Sequence, residues 1–172
     1  MYTGTPTALA AASLENALGE VGQREDGTSN WGGHVTQYLK TAGINEPEPW
    51  CASFLYWSVQ HAADKLGLPN PLKVVANHGY VQSYVDHAKN AGWLVSAKEA
   101  QAGDFGCIWH PSLNRYGHIV MLTGTNVDEG YYTDVEGNSN EDGSRDGYEV
   151  VHRRSDNPRP INDGVVFLRW SK

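Results

Sequence analysis

"KEAQAGDFGCIW", Lys98 to Trp109, divides the 172-residue chain into two textures. Up to Asp104 it is turn chemistry; after it come the aromatic and β-branched residues that strands favour. Upstream, apolar residues recur with helical spacing. Thr5–Pro6 reads as a helix start, with Leu14, Ala17, Leu18 and Val21 following up to Gly22. After the polar loop "GQREDGTSN", the residues Trp31, Val35, Tyr38 and Leu39 mark a short helix closed by Gly43. Leu55, Val59, Ala62, Ala63 and Leu66 form the stripe of a helix over Pro49–Leu66, ended by Gly67 and Pro69. A fourth helix is predicted over Tyr80–Ala91, stopped by Gly92. Downstream, strands are predicted at Asp104–Trp109, His118–Thr125, Tyr131–Glu136, Tyr148–Arg153 and Val165–Trp170. Helices first and an antiparallel sheet second argue an α+β class.

The length suits one domain, expected to span residues 1–172. Hydrophobic residues make up 40% and charged residues 19%, with six Trp and nine Tyr, a globular composition with aromatic residues to spare for a groove. Thirteen Lys and Arg against 20 Asp and Glu leave a net charge of −7, which argues against nucleic acid or an anionic membrane as partner. No apolar run approaches a membrane span, and the first residues lack the basic flank of a secretory signal. The chain is therefore expected to be made in the cytoplasm. Two cysteines cannot build a disulfide framework.

One of those cysteines, Cys51, sits behind "INEPEP" and one residue after Trp50, in the first turn of the predicted Pro49–Leu66 helix. Unpaired backbone N–H groups and the helix dipole there favour a thiolate, the nucleophilic form of cysteine. A buried structural cysteine is the competing reading. Of seven histidines, His118 opens "GHIVMLTG" at a predicted strand start, where an imidazole is held rigidly beside a cleft. In "YYTDVEGNSN", strand alternation puts Tyr132, Asp134, Glu136 and Asn138 on one side. Glu136 and Asn138 can then reach one cleft, one to orient the imidazole and the other to support it or polarise the substrate. The alternative is that the polar residues leading into "GNSNEDG" only form a turn.

Together "PWCASFLYW", "GHIVMLTG", "EGNSN" and the leading "GEVGQREDGTSN" with Tyr38 resemble, in this order, the CHAP domains, cysteine- and histidine-dependent amidohydrolases and peptidases of papain-like fold. The resemblance implies N-terminal helices packed on an antiparallel sheet of five strands, with Cys51 as nucleophile, His118 as general base, and Glu136 and Asn138 as the supporting pair. Glu and Asn, in place of a third-position histidine, favour CHAP domains over the related NlpC-type peptidases. "GDFGCIW" resembles the strand before the histidine hairpin; "HPSLNRY" has no counterpart. Some members carry a calcium loop, but Glu25 and Asp26 supply too few ligands here, so neither metal nor cofactor is expected. Asn30, Trp31, Trp50, Trp109 and Tyr116 flank the motifs and are candidates for a substrate groove, Trp50 first; each is equally a candidate for core packing.

The activity implied is cleavage of an amide bond in bacterial peptidoglycan, by a stem-peptide endopeptidase or an N-acetylmuramoyl-L-alanine amidase. The chain would act in the periplasm or at the wall, delivered by a holin as a phage lysin or by a secretion apparatus as an antibacterial effector, the latter with an immunity protein. Competing readings are an amidase of a small thiol conjugate, similar to glutathionylspermidine amidase, and a non-catalytic wall-binding module. A muramidase using Glu15, Glu20 or Asp26 lacks a clear carboxylate pair. A metal site of Cys51, Cys107, His110 and His118 lacks regular ligand spacing.

Overall fold

Helices do precede strands, and the sequence boundary near Gly103 is where the long strands begin. The computed structural model describes residues 1–140 and 147–172. Helix α1 covers Ala8–Gly19, starting later than Thr5–Pro6 because the Thr7 side chain accepts from the Ala10 N–H and caps it. Helix α2 is Gly33–Thr41, α3 is Cys51–Leu66 and α4 is Val81–Ala91. Gly67 and Gly92 end α3 and α4 in the left-handed conformation that glycine adopts without a Cβ penalty.

The sheet has seven strands rather than five: β1 Leu94–Val95, β2 Phe105–His110, β3 Arg115–Asn126, β4 Tyr131–Ser139, β5 Glu149–Arg153, β6 Arg159–Pro160 and β7 Val165–Leu168. Their order is β1-β7-β2-β3-β4-β5, with β6 also on β4, and every pairing is antiparallel. The two additions, β1 and β6, are two residues each, too short to show alternation. "HPSLNRY" makes the β2–β3 connection, a 3-10 turn at Pro111–Leu113 followed by Asn114 in the left-handed region. The turn read from "GNSNEDG" falls partly on residues 141–146, outside the described residues.

Strand alternation divides the core. Cys107, Ile119, Met121 and Val135 pack with the helices, whereas Val120, Leu122, Tyr132 and Phe167 form a smaller cluster. Helix α3 is the hub, packed against α1, α2, β3 and β4. At its amino end the rings of Tyr38, Trp50 and Phe54 meet, with centroids 5.1 Å apart for Tyr38–Phe54 and 5.7 Å for Tyr38–Trp50. Gly137 of β4 lies against this cluster, so closely that a Cβ there would sit 2.7 Å from the Trp50 ring and 2.9 Å from Phe54 Cβ. A Gly137→Ala variant is therefore expected to lose about 1–3 kcal/mol of stability through overpacking, read by urea or thermal unfolding.

Candidate active site

Cys51 is the first residue of α3, with Trp50 as its cap residue and Pro49 just outside, so the helix starts two residues later than the predicted Pro49. No side chain caps this end and no acidic residue occupies its first turn, so no side chain competes for the first backbone N–H groups. His118 lies inside β3 rather than at its start. The β2–β3 register slips between Ile108 and Trp109, pairing His118 with Ile108 and Tyr116 with Trp109 and leaving Gly117 as the extra residue. A bulge beside a working side chain re-aims it. A Cβ at Gly117 would meet His110 Cβ at 2.9 Å, so the bulge requires glycine.

The imidazole of His118 is 5% exposed and lies between two groups of opposite character. Its Nε2 donates to Glu136 Oε2 at 3.2 Å; a carboxylate only accepts, so Nε2 carries the proton and Nδ1 is left for the thiol. Nδ1 is buried without a close hydrogen-bond partner, yet Cys51 and His118 are near enough to shift each other's protonation. Sulfur makes long, soft hydrogen bonds, and such contacts tighten when substrate binds. Burial pushes the Cys51 thiol up, but His118 and the backbone N–H groups of Ile119 and Ala52 outweigh it and hold the thiol below its ordinary value. Burial pulls His118 down, but Cys51 and Glu136 raise it to about 9. Both shifts favour a thiolate–imidazolium pair at neutral pH.

Glu136 is fully buried and heavily bonded. Besides His118 it accepts from Arg153 Nε at 2.8 Å, from Arg159 Nη2 at 2.7 Å and Nε at 2.9 Å, and from the Ser139 hydroxyl. Burial raises its pKa, but His118, Arg159 and Arg153 together drive it well below the carboxylate range. Asp134, equally buried, has no hydrogen bond to either oxygen, and Arg159 approaches only to 3.5 Å. Burial and the neighbouring Glu136 charge push it well above that range. The two neighbouring carboxyl groups are thus shifted in opposite directions.

Alternation does not carry Asn138 onto the imidazole. The strand is irregular between Glu136 and Ser139, and Asn138 adopts φ +54°, a conformation asparagine tolerates. Its Oδ1 accepts from the Trp50 N–H at 2.6 Å and its Nδ2 donates to the Gly147 carbonyl at 2.7 Å. Asn138 thus anchors the helix that carries Cys51, while Glu136 holds His118.

The groove differs from expectation. Trp50, the first candidate, is fully buried, its indole N–H donating to Glu25 at 2.9 Å. Its ring belongs to the aromatic cluster under α3. Trp31 is half-buried against the core, and Asn30 takes a left-handed turn in the preceding loop. Trp109 is exposed and meets Tyr116 edge-on at 5.3 Å at the far end of the hairpin. None of these five lines the cleft that opens on Cys51. That cleft, about 160 Å³, is lined by Glu48, Pro49, Tyr80, Arg115 and Gly117 as well as Cys51. The residues missed from sequence are therefore Arg153 and Arg159 behind the imidazole and Glu48, Tyr80 and Arg115 at the cleft. Cys107 is a buried strand residue whose thiol is pushed up by burial. Among the described residues, no group of three or more His, Cys, Asp or Glu side chains is placed to hold a metal.

A family model of the CHAP domain matches residues 43–138, more than half of the chain and a span that includes Cys51, His118, Glu136 and Asn138. The chain belongs to the CHAP domain family, whose members are generally cysteine- and histidine-dependent amidohydrolases that act on peptidoglycan. No curated protein and no solved structure matches it.

The contrast between the two thiols has a direct readout. A neutral alkylating reagent is expected to modify Cys51 at lower pH than an ordinary thiol requires, and to leave Cys107 untouched until the protein unfolds. In His118→Ala the labelling midpoint of Cys51 moves to higher pH. Peptide mapping after timed iodoacetamide exposure measures both.

Proposed function

We propose that the chain is a cysteine amidase or peptidase that cuts an amide bond of the peptidoglycan peptides, either within a stem peptide or between lactoyl group and peptide. The observation that carries this reading is the line Cys51, His118, Glu136, which ends at the thiol in a cleft that opens on Cys51. The Cys51 thiolate attacks the carbonyl carbon and the oxygen takes up the charge. The uncapped Cys51 N–H is the oxyanion donor in this reading, a contribution of about 10²–10³ in rate for such a group. His118 delivers its Nδ1 proton to the leaving amine, producing an acyl-enzyme, and then takes a proton from the water that releases the acid. Glu136 keeps the imidazole in the tautomer this cycle needs, and Asn138 fixes the start of α3.

Delivery to the wall by a holin or a secretion apparatus, with an immunity protein in a producing cell, belongs to the same proposal. The charge of −7 supports delivery by a partner over electrostatic attraction to an anionic wall. No helix among the described residues is long and apolar enough to cross a membrane.

Two outcomes check the chemistry. Cys51→Ala is expected to stop release of muropeptides from purified sacculi while unfolding at the wild-type temperature; mass spectrometry of the wild-type products identifies the bond, and turnover by the variant would refute the assignment. Between the depressed thiol value and about 9 the ion pair persists, so kcat/KM falls as pH rises through about 9 and the imidazolium loses its proton. Glu136→Gln removes a charge that holds that proton, so this alkaline limb moves to lower pH. A limb that stays in place would remove Glu136 from the mechanism.

A further inference from the structure

Two charged side chains, Glu48 and Arg115, stand on the cleft that opens on Cys51. Arg115 is fixed without being neutralised. Its guanidinium lies over the Tyr80 ring, 4.7 Å from the centroid, and Nη1 donates to the Tyr116 carbonyl at 3.0 Å. Arg24, Arg153, Arg159 and Arg169 each hold a carboxylate, whereas Arg115 has no carboxylate partner among the described residues. A guanidinium has five N–H donors in a planar fork suited to two parallel bonds with a carboxylate, and a ring beneath it fixes that plane. In a chain of net charge −7, an oriented, unpaired cation beside a nucleophile is a local exception. It is also carried by β3, the strand of His118, three residues before the imidazole.

We propose that Arg115 reads a free carboxylate on the substrate, so that the bond cut lies next to an acidic residue whose carboxyl group is not amidated. This deepens the hydrolase reading above and rests on it. Glu48, which also lines the cleft, repels the same carboxylate and so favours binding in which that group sits at Arg115. The substrate class is an acidic peptide amide, with Arg115 setting specificity and the Cys51–His118 pair supplying the chemistry.

The test has one arm that needs no turnover. Cys51 is alkylated in parallel with iodoacetate and iodoacetamide; in both, the thiolate displaces iodide from the same carbon, and only the reagent charge differs. The rate ratio of the two cancels any change in thiolate population. Arg115→Gln is expected to lower the iodoacetate-to-iodoacetamide ratio by at least about threefold at low salt, with Arg115→Lys in between because it keeps the charge and loses the fork. An unchanged ratio in Arg115→Gln, with the variant still folded by circular dichroism, overturns the proposal. The second arm compares a stem peptide bearing a free carboxylate beside the cleaved bond with its carboxamide twin. Wild type is expected to show the lower KM for the acid and Arg115→Gln to lose that preference; equal KM values in wild type overturn the substrate class. If neither peptide is cut by wild type while the alkylation ratio still falls in the variant, the hydrolase reading fails and the anion-reading cleft stands.

Discussion

The amino end of α3 is wedged where β3 and β4 part, and the rest of the structure depends on that wedge. The two strands pair from Asn126↔Tyr131 to Met121↔Val135. Beyond that point both strands serve the helix: on β3 the Ile119 N–H helps favour the Cys51 thiolate, and on β4 the Asn138 side-chain carboxamide accepts from the Trp50 N–H. Gly137 supplies the missing volume. Asn138 supplies the bend, because a left-handed residue at this point ends regular alternation and turns a side chain that would face the imidazole toward the helix. A buried, unpaired peptide N–H at Trp50 would cost about 1–3 kcal/mol, so the bond to Asn138 fixes the helix start and satisfies it together.

Behind the imidazole the problem is electrostatic. A carboxylate buried as fully as Glu136 is tolerated only when its lone pairs are filled, and Arg153, Arg159 and Ser139 fill those that His118 leaves. The clamp does not by itself argue stability, since buried ion pairs often balance their desolvation cost closely. Its effect is orientation: with three other partners, Glu136 has few rotamers that do not also meet His118. The same arginines temper the carboxylate, whose pull on the imidazole proton would otherwise be stronger. Asp134 is the complement. Without hydrogen bonds its charged form is disfavoured, the more so because Glu136 already places a negative charge beside it.

Much of the fold was legible because it rests on period and punctuation. Four helices, the glycine stops of α2, α3 and α4, the change of texture near Gly103 and five of the seven strands follow from spacing alone, whereas α1 ends at Gly19, short of the predicted Gly22. Cys51 and His118 were legible because their chemistry depends on local context, a helix start and a strand beside glycine. Three things were not. Arg159 comes from a two-residue strand and reaches Glu136 across 23 positions, which no local pattern encodes. The bulges at Gly117 and after Glu136 shift register by one residue, and register is what assigned Asn138 to the imidazole. Trp50 was placed in the groove for being next to Cys51, but consecutive residues at a helix start point in different directions. Cys51 meets the cleft, and Trp50 enters the core.

That divergence bears on why the helix begins without a cap. Ser, Thr or Asp at position 50 would bond to an N–H of the first turn and add about 1 kcal/mol to helix stability. An Asp there would also set a negative charge beside the thiol and raise the pKa that Ile119, Ala52 and His118 hold down. Trp50 does neither. It secures the helix through its ring, buried against Tyr38 and Phe54, and through its own backbone N–H on Asn138, both on the side away from the cleft. The stabilisation that a polar cap would provide is thus moved into the core, and no side-chain cap competes for the Cys51 N–H at the point where, in the proposed reaction, an oxyanion forms.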